Sequence, residues 1–203
     1  MNASYKVFKE LDFYPTYYAN LDQTVIQSHQ KQIQELMNIN KIQKMFLHDY
    51  VQFDPHITYT PIHKTFPITK DISTSFDDFH SWMNTGSDSV QIAIMLRYKT
   101  IYVIGVDGYI ERIPEAKQLD GIVWEITETP KENPNYWFAH YQEKGERYNL
   151  PNAHTAHIPG WKKTINYCKN NAIQLLDLSF GNYTNIPKIS YKEFINQSSK
   201  TFL

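Results

Sequence analysis

A turn of small polar residues stands directly before a nearly all-apolar run in the middle of the chain. Residues 85–89 (Thr-Gly-Ser-Asp-Ser) precede residues 90–96, and this run predicts a buried helix that begins at the turn. Backbone N–H groups at a helix N-terminus favour an anion such as a phosphate or a carboxylate. Asp88 would repel a phosphate placed close to it, so Thr85 and Gly86 are the predicted contacts. Ordinary N-capping by Ser or Thr explains the same residues without a ligand, and both interpretations stay open.

An acidic residue follows the next apolar run along the chain. Residues 100–106 predict a buried strand, and Asp107 comes directly after it. Because ligands of open α/β sheets bind at the carboxyl ends of the strands, Asp107 is predicted to face a ligand. A strand-end residue that caps the following turn is the structural alternative. The segment lacks the Asp-x-Asp pair that holds a divalent metal ion in many sites, so no metal and no cofactor are predicted.

Two histidines stand before the last predicted helix, which begins near Trp161. An unperturbed imidazole has a pKa of about 6.5, so His157 is suited to take a proton from a hydroxyl group at neutral pH. His154 is the competing candidate, and a structural histidine is the alternative at either position. The two histidines could also ligate a metal ion together, but no matching carboxylate or third histidine stands nearby. Cys168 lies on the apolar face of the same helix and is predicted to be core rather than a nucleophile.

Four apolar runs alternate with helical patterns and must position these candidates. We expect the runs at residues 16–21, 45–48, 100–106 and 173–178 to be parallel strands of one sheet. A helix and a strand that are apolar on most faces must both be buried, which is typical of a sheet covered on two sides. The predicted fold class is therefore α/β and Rossmann-like, with a mainly parallel sheet and helices on both faces.

The remaining segments predict one domain with irregular additions. A chain of 203 residues with 41% hydrophobic side chains can bury one sizeable core, so residues 1–203 are expected to form a single nucleotide-binding-type domain. Residues 54–67 are rich in Pro and Thr and predict an irregular surface segment. Residues 130–152 are aromatic and predict a loop or lid over the sheet edge, while residues 187–203 predict a docking tail.

Charge and cysteine content restrict the partners that the chain can bind. The formal net charge is −1 and the pI is near 6.7, without the basic excess that draws a protein onto nucleic acid or an anionic membrane. The single cysteine excludes an intramolecular disulfide and a thiolate zinc site. The N-terminus lacks the apolar core of a signal peptide, and no stretch approaches the roughly 18 apolar residues of a transmembrane segment. A cytoplasmic location is expected, with the inner membrane surface as an additional place of action.

The stretch from Thr85 to Tyr109 resembles a known family. Thr85-Gly86, followed by a strand that ends in Gly-Val-Asp-Gly-Tyr, is similar to the Thr-Ser-Gly helix and the Tyr-Lys-x-Ile-Tyr-x-x-Gly-Ile-Asp strand of family 42 bacterial sialyltransferases. The wider relatives of that family include motility-accessory proteins and hydroxymethylpterin-pyrophosphokinase-like proteins. Residues 133–161 also resemble a segment common in those relatives, and the likeness covers most of the chain from Asn2 onward.

The resemblance implies roles for individual residues. Tyr109 would help to neutralise the departing phosphate, and His157 would match the catalytic base, with His154 as the competitor for that alignment. Asn2 would lie near the nucleotide, and the turn before the central helix would contact the sugar or the nucleotide. The expected substrate-binding residues are therefore Asn2, Thr85, Gly86, Asp107, His154 and, at the end of the fourth predicted strand, Asn182.

The chain departs from the family pattern in two places. Family members begin with a strand and a Gly-Asn-Gly-Pro-Ser-like loop ahead of the asparagine that Asn2 matches, so the sheet is expected to lack the family's first strands and to show a gap or an unusual edge. The arginine that precedes Thr-Ser-Gly in sialyltransferases is replaced near Trp82 and Met83, which weakens the case for sialic acid as the donor sugar.

The resemblance implies a metal-independent glycosyltransferase that uses a histidine base and inverts the anomeric carbon. Its partners would be a nucleotide-sugar donor, with a CMP-activated nonulosonic acid as one candidate, and a glycan acceptor of lipopolysaccharide or capsule biosynthesis. The sequence does not decide whether the chain forms a homo-oligomer. A pterin pyrophosphokinase-like diphosphotransferase is the alternative enzyme, and a truncated inactive paralogue or binding module is the alternative without activity.

Overall fold

The computed structural model describes residues 1–54, 59–66, 71–106, 108, 110–181 and 184–201. Its α-helices are α1 (Gln23–Ser28), α2 (Gln30–Asn38), α3 (Thr85–Met95), α4 (His157–Asn170) and α5 (Tyr191–Thr201). Its strands are β1 (Tyr17–Asn20), β2 (Lys44–His48), β3 (Tyr59–Ile62), β4 (Lys64–Thr65), β5 (Phe79–His80), β6 (Thr100–Val103), β7 (Ala116–Asp120), β8 (Val123–Ile126), β9 (Arg147–Asn149) and β10 (Gln174–Asp177). Short 3₁₀ helices span Asn2–Val7 and Ala139–Tyr141.

The four strands predicted from apolar runs are present, and each pairs in parallel. β2 lies between β1 and β3, with Tyr18 opposite Met45 and Met45 opposite Tyr59. β6 pairs with β10, with Ile101 opposite Leu175. Helices α1 and α2 lie between β1 and β2, and α4 lies before β10, because the chain must return to the start of a ladder before each new parallel strand. The protein is a mixed α/β fold with several parallel strands.

The parallel strands do not form the one continuous sheet that the apolar runs predict. Within the described residues, β1–β2–β3 and β6–β10 are separate hydrogen-bonded ladders, and β4–β5 is a further short parallel pair. The expectation of one sheet is therefore wrong at the level of hydrogen bonding.

A small antiparallel sheet follows β6 and is missing from the sequence-based expectation. β8 pairs with β7 and β9 in antiparallel register, so residues 116–149 hold a second kind of sheet. β9 and one 3₁₀ helix fall inside the predicted lid, and β3 and β4 fall inside the stretch predicted to be irregular. The last four residues of β7 are all exposed, so this strand has no alternation of apolar and polar residues from which it could be recognised.

Helix α3 packs against both parallel ladders. Ile92 belongs to a cluster of buried residues with Leu21 and Phe46, beside the first ladder. Val90 belongs to another cluster, with Trp161 and Leu175, beside the second ladder. Because its apolar residues are divided between two clusters, the helix joins the two parts of the core across the break in the sheet.

Two glycines allow α3 and α4 to approach closely. A Cβ atom on Gly86 would stand 2.9 Å from the Trp161 ring, and one on Gly160 would stand 2.6 Å from Cβ of Trp82. Side-chain carbons do not approach to such distances without displacement of their neighbours. The absence of side chains at these two positions therefore sets the separation of the two helices.

The C-terminal segment packs against the second ladder. The Phe194 ring lies 4.9 Å from that of Tyr102, centroid to centroid, and the Tyr102 hydroxyl donates to Gln197. Lys188 Nζ donates to Asp177 Oδ2 over 2.6 Å. Among the described residues, no helix has both the length and the apolar character that a membrane crossing would need.

The Gly160→Ala variant tests the close packing of α3 and α4. Alanine at an unhindered helical position stabilises a protein by roughly 0.5–1 kcal/mol relative to glycine. Here the added methyl group meets Trp82, so we expect the free energy of unfolding to fall by about 1–3 kcal/mol in urea denaturation. Lys162→Ala, on an exposed position of the same helix, is the matched control and should change stability little. A Gly160→Ala variant as stable as the parent protein would contradict the packing.

Candidate functional site

A cavity of about 500 Å³ opens where strand ends, helix starts and an aromatic segment meet. It lies at the carboxyl ends of β1, β2 and β6, at the edge where α/β sheets bind ligands. The N-termini of α3 and α4 also reach it. Polar side chains on its lining are Asn2, Ser4, Asp22, Gln23, Thr24, His48, Lys64, Asn84, Thr85, Asn135, Asn149 and His157, and aromatic ones are Phe66, Tyr136, Trp137, Phe138, Tyr141 and Trp161.

The cavity brings together several residues that the sequence places far apart. Asn2, Thr85, Gly86 and His157 all line it, together with aromatic side chains of the predicted lid. His154 does not, since it is exposed and stands outside the lining. Three further predicted site residues, Asp107, Tyr109 and Asn182, lie outside the described residues.

The N-terminus of α3 is capped by a residue just before the predicted turn. Asn84 Oδ1 accepts hydrogen bonds from Gly86 N (2.9 Å) and Ser87 N (3.2 Å). The cap is therefore an asparagine and not a serine or threonine of the turn. Because the Gly86 N–H is already bonded, the Thr85 hydroxyl and the helix dipole are what this turn offers an anion.

His157 is the first residue of α4, is 8% exposed, and lies against backbone from two other segments. Burial lowers the pKa of His157 from its usual value, and this is the largest effect. Hydrogen bonds to the backbone of Met83 and of Gly108 and the charge of Asp22 oppose it by raising the pKa. A neutral imidazole carries one N–H, so it can donate to only one of these backbone groups, and its other nitrogen keeps a lone pair for a proton.

Asp22 lines the cavity, although it was not among the site residues predicted from the sequence. It caps α1 by accepting from Val25 N over 3.0 Å, and both its oxygens accept from Asn149 Nδ2 at 3.0 and 3.1 Å. Its negative charge raises the pKa of both His48 and His157, which places it within electrostatic reach of both rings. Like Asp107, it follows an apolar strand closely, and this signal was available from the sequence.

Four residues with backbone in the left-handed region line the cavity. Among its lining residues, Asn2 has φ of 48° and Met83 has φ of 56°, and Gly105 and Gly108 also have positive φ. For a residue with a side chain, this conformation costs on the order of 1 kcal/mol or more and is typical of functional sites. Met83 is also a residue whose backbone bonds to His157.

A buried polar network anchors the wall that carries Tyr141. Lys6 Nζ donates to both oxygens of Glu146 at 2.7 and 2.9 Å and to Glu143 at 3.0 Å. His29 Nε2 lies 3.7 Å from Glu146 Oε2, and its Nδ1 is 2.7 Å from the Tyr5 hydroxyl. These contacts tie the N-terminal 3₁₀ helix to the segment just before β9.

Across the described ranges, no group of three or more His, Cys, Asp or Glu side chains is arranged to hold a metal ion. Comparison of the chain with protein-family models, with curated proteins and with solved structures finds no match.

The titration of His29 gives a pH-dependent stability that can be measured. Burial, with a smaller effect of Lys6, lowers the pKa of His29 to about 4 from 6.5. The unfolded chain therefore binds a proton first as pH falls, so this contribution is complete above pH 6.5 and is lost between 6.5 and about 4. The shift corresponds to roughly 3 kcal/mol at most.

We expect the stability advantage of the parent protein over His29→Gln to shrink as pH falls from about 7 to about 4. Denaturant unfolding of both proteins across this range measures the difference, and glutamine retains an acceptor for the Tyr5 hydroxyl. A difference that does not change with pH would show that His29 is not buried in its neutral form.

Proposed function

We propose that the protein is a metal-independent glycosyltransferase that uses a nucleotide-activated sugar as donor and His157 as its base. The observation that carries this proposal is the meeting of Asn2, Thr85 and His157 in one cavity. These residues lie far apart in the chain, and the sequence predicts a site role for each of them. Metal independence rests on the missing Asp-x-Asp pair after β6.

The cavity suits a ligand with both flat and charged parts. Its volume of about 500 Å³ falls within the range of about 300–1,000 Å³ that holds small molecules and cofactors. The exposed Trp137 ring and the neighbouring Phe138 ring, with centroids 4.9 Å apart, offer faces on which a base or a sugar can stack. The lining also carries polar side chains and the starts of two helices, which favour an anionic group.

The reaction would be a single displacement at the anomeric carbon. The acceptor oxygen bonds to this carbon as the bond from the carbon to the phosphate oxygen breaks. The phosphate leaves with the bonding electron pair, and the acceptor proton passes to the free nitrogen of His157. Because burial lowers the pKa of His157, the ring is neutral and able to accept that proton at pH 7.

The alternative diphosphotransferase reaction requires Mg²⁺ held by carboxylates. Within the described part of the lining, Asp22 is the one acidic residue, and both its oxygens accept hydrogen bonds from Asn149. Because this carboxylate is already bonded, glycosyl transfer is favoured over diphosphotransfer.

Replacement of His157 by glutamine tests the proposed base. We expect His157→Gln to lower kcat by about 10²- to 10⁴-fold while the affinity for donor changes little, since the ring acts on the acceptor hydroxyl. Turnover of a panel of sugar nucleotides measures the first effect, and isothermal titration calorimetry measures the second. The pH profile of the parent protein should show a loss of activity below pH 6.5, because a protonated imidazole cannot act as base.

His154→Gln is the matched control, because His154 is a nearby but exposed histidine. It should retain parental turnover. An inactive His154→Gln protein beside an active His157→Gln protein would contradict the assignment of the base. Nucleotide binding without any turnover in the parent protein would favour the binding module.

A further inference from the structure

A buried lysine reaches the cavity from the short strand β4. The Lys64 side chain is 6% exposed. Within the described part of the lining, no other lysine and no arginine is present. Its Nζ donates to the backbone oxygen of Leu21, at the end of the first ladder. A buried ammonium needs compensating partners, since its desolvation costs several kcal/mol.

The acidic neighbour of Lys64 has closer partners than the lysine. Asp88 accepts from Ser81 Oγ at 2.7 Å and from Gln91 Nε2 at 3.3 Å, and the backbone of Trp82 also bonds to it. The distance from Lys64 Nζ to Asp88 Oδ2 is 3.6 Å, well beyond the about 2.7–2.9 Å of a strong charged hydrogen bond. Burial raises the pKa of Asp88, and the charge of Lys64 and a hydrogen bond with it oppose this by lowering the pKa, so the pairing between the two groups is long and incomplete.

Lys64 therefore has hydrogen-bonding capacity left over. An ammonium carries three N–H donors. Among the described residues, Leu21 O is the one acceptor within normal hydrogen-bond distance of Lys64 Nζ. Since Lys64 lines the cavity, a ligand with anionic oxygens can supply the missing acceptors there.

A second donor lines the same cavity as Lys64. His48 lies on its lining, and the positive charge of Lys64 is among the causes that lower the pKa of His48, after burial. His48 Nδ1 lies 3.1 Å from a donor, the backbone nitrogen of Tyr50, and 3.1 Å from an acceptor, the Asp49 carboxylate. Because the lowered pKa keeps the ring neutral, Nδ1 accepts from Tyr50 and the ring proton resides on Nε2.

We propose that Lys64 and His48 form a subsite that binds an anionic oxygen group of the donor. The group is a phosphate of the nucleotide or a carboxylate of an acidic sugar, which present the same kind of acceptor to the ammonium. The identity of the donor rests on the proposed function, but anion binding itself can be measured without turnover. In this arrangement the negative group lies near β2 and β4, and the His157 base acts at the start of α4.

Calorimetric titration with matched ligand pairs tests the subsite. CMP against cytidine isolates a phosphate, and glucuronate against glucose isolates a carboxylate. We expect one charged ligand to bind the parent protein more tightly than its neutral partner. Lys64→Met should weaken that ligand by about tenfold or more and leave the neutral partner unchanged, as for loss of a hydrogen bond to a charged group.

Asp88→Asn separates ligand binding from a structural ion pair. If Lys64 binds the anion, removal of the neighbouring carboxylate should tighten anion binding, because a competing negative charge is lost. If Lys64 only serves Asp88, this variant should leave anion affinity unchanged. The double variant K64M/D88N removes both buried charges together, which proteins often tolerate, so it carries the test if Lys64→Met alone fails to fold.

Several outcomes overturn the subsite. They are parental anion affinity in K64M/D88N, unchanged affinity in Lys64→Met, or no preference of the parent protein for either charged ligand. Anion binding that depends on Lys64, without turnover of any sugar nucleotide, would support the subsite and contradict the proposed glycosyl transfer. Turnover that survives Lys64→Met with unchanged donor affinity would do the reverse.

Discussion

The close contact between α3 and α4 is the constraint on which the site depends. It exists because Gly86 and Gly160 carry no side chain where the rings of Trp161 and Trp82 pass. The contact brings the starts of two helices to one cavity and sets His157 against the strained backbone of Met83. α3 is also the helix that joins the cores of the two parallel ladders, so the same packing holds the cavity and the halves of the fold together.

Electrostatics inside the cavity are balanced by fixed partners rather than by solvent. The Asp22 carboxylate accepts hydrogen bonds from α1 and from Asn149, and its negative charge acts on two histidines whose pKa values burial lowers. Lys64 is held by Leu21 and stands far enough from Asp88 to attract a further anion. A cavity with one capped carboxylate, one buried ammonium and two neutral imidazoles is preorganised for an anionic ligand, because its charged groups need little rearrangement on binding.

The parts of this arrangement that the sequence predicts are those with strong local signals. The apolar character of residues 100–106 predicts β6, and the polar turn before an apolar run predicts the start of α3. β7 has no such apolar signal, because four of its five residues are exposed; it pairs with β8 in a hairpin whose turn is residues 121–122. Lys64 lies on a two-residue strand, too short for any periodicity, so its place in the cavity follows from packing alone. The likeness to glycosyltransferases remains a prediction, and the function rests on the site.

Chemical-shift mapping of the ¹⁵N-labelled protein tests whether a nucleotide-activated sugar binds in the cavity. A CMP-activated or UDP-activated sugar would be added in steps, with the backbone amide shifts followed at each concentration. If the sugar nucleotide binds in the cavity, we expect saturable changes in the amide shifts of Asn2, Lys64, Thr85 and His157. The shift of the exposed Tyr191 on α5 should not change. Changes confined to α5, or no changes with any nucleotide-activated sugar, would contradict this expectation.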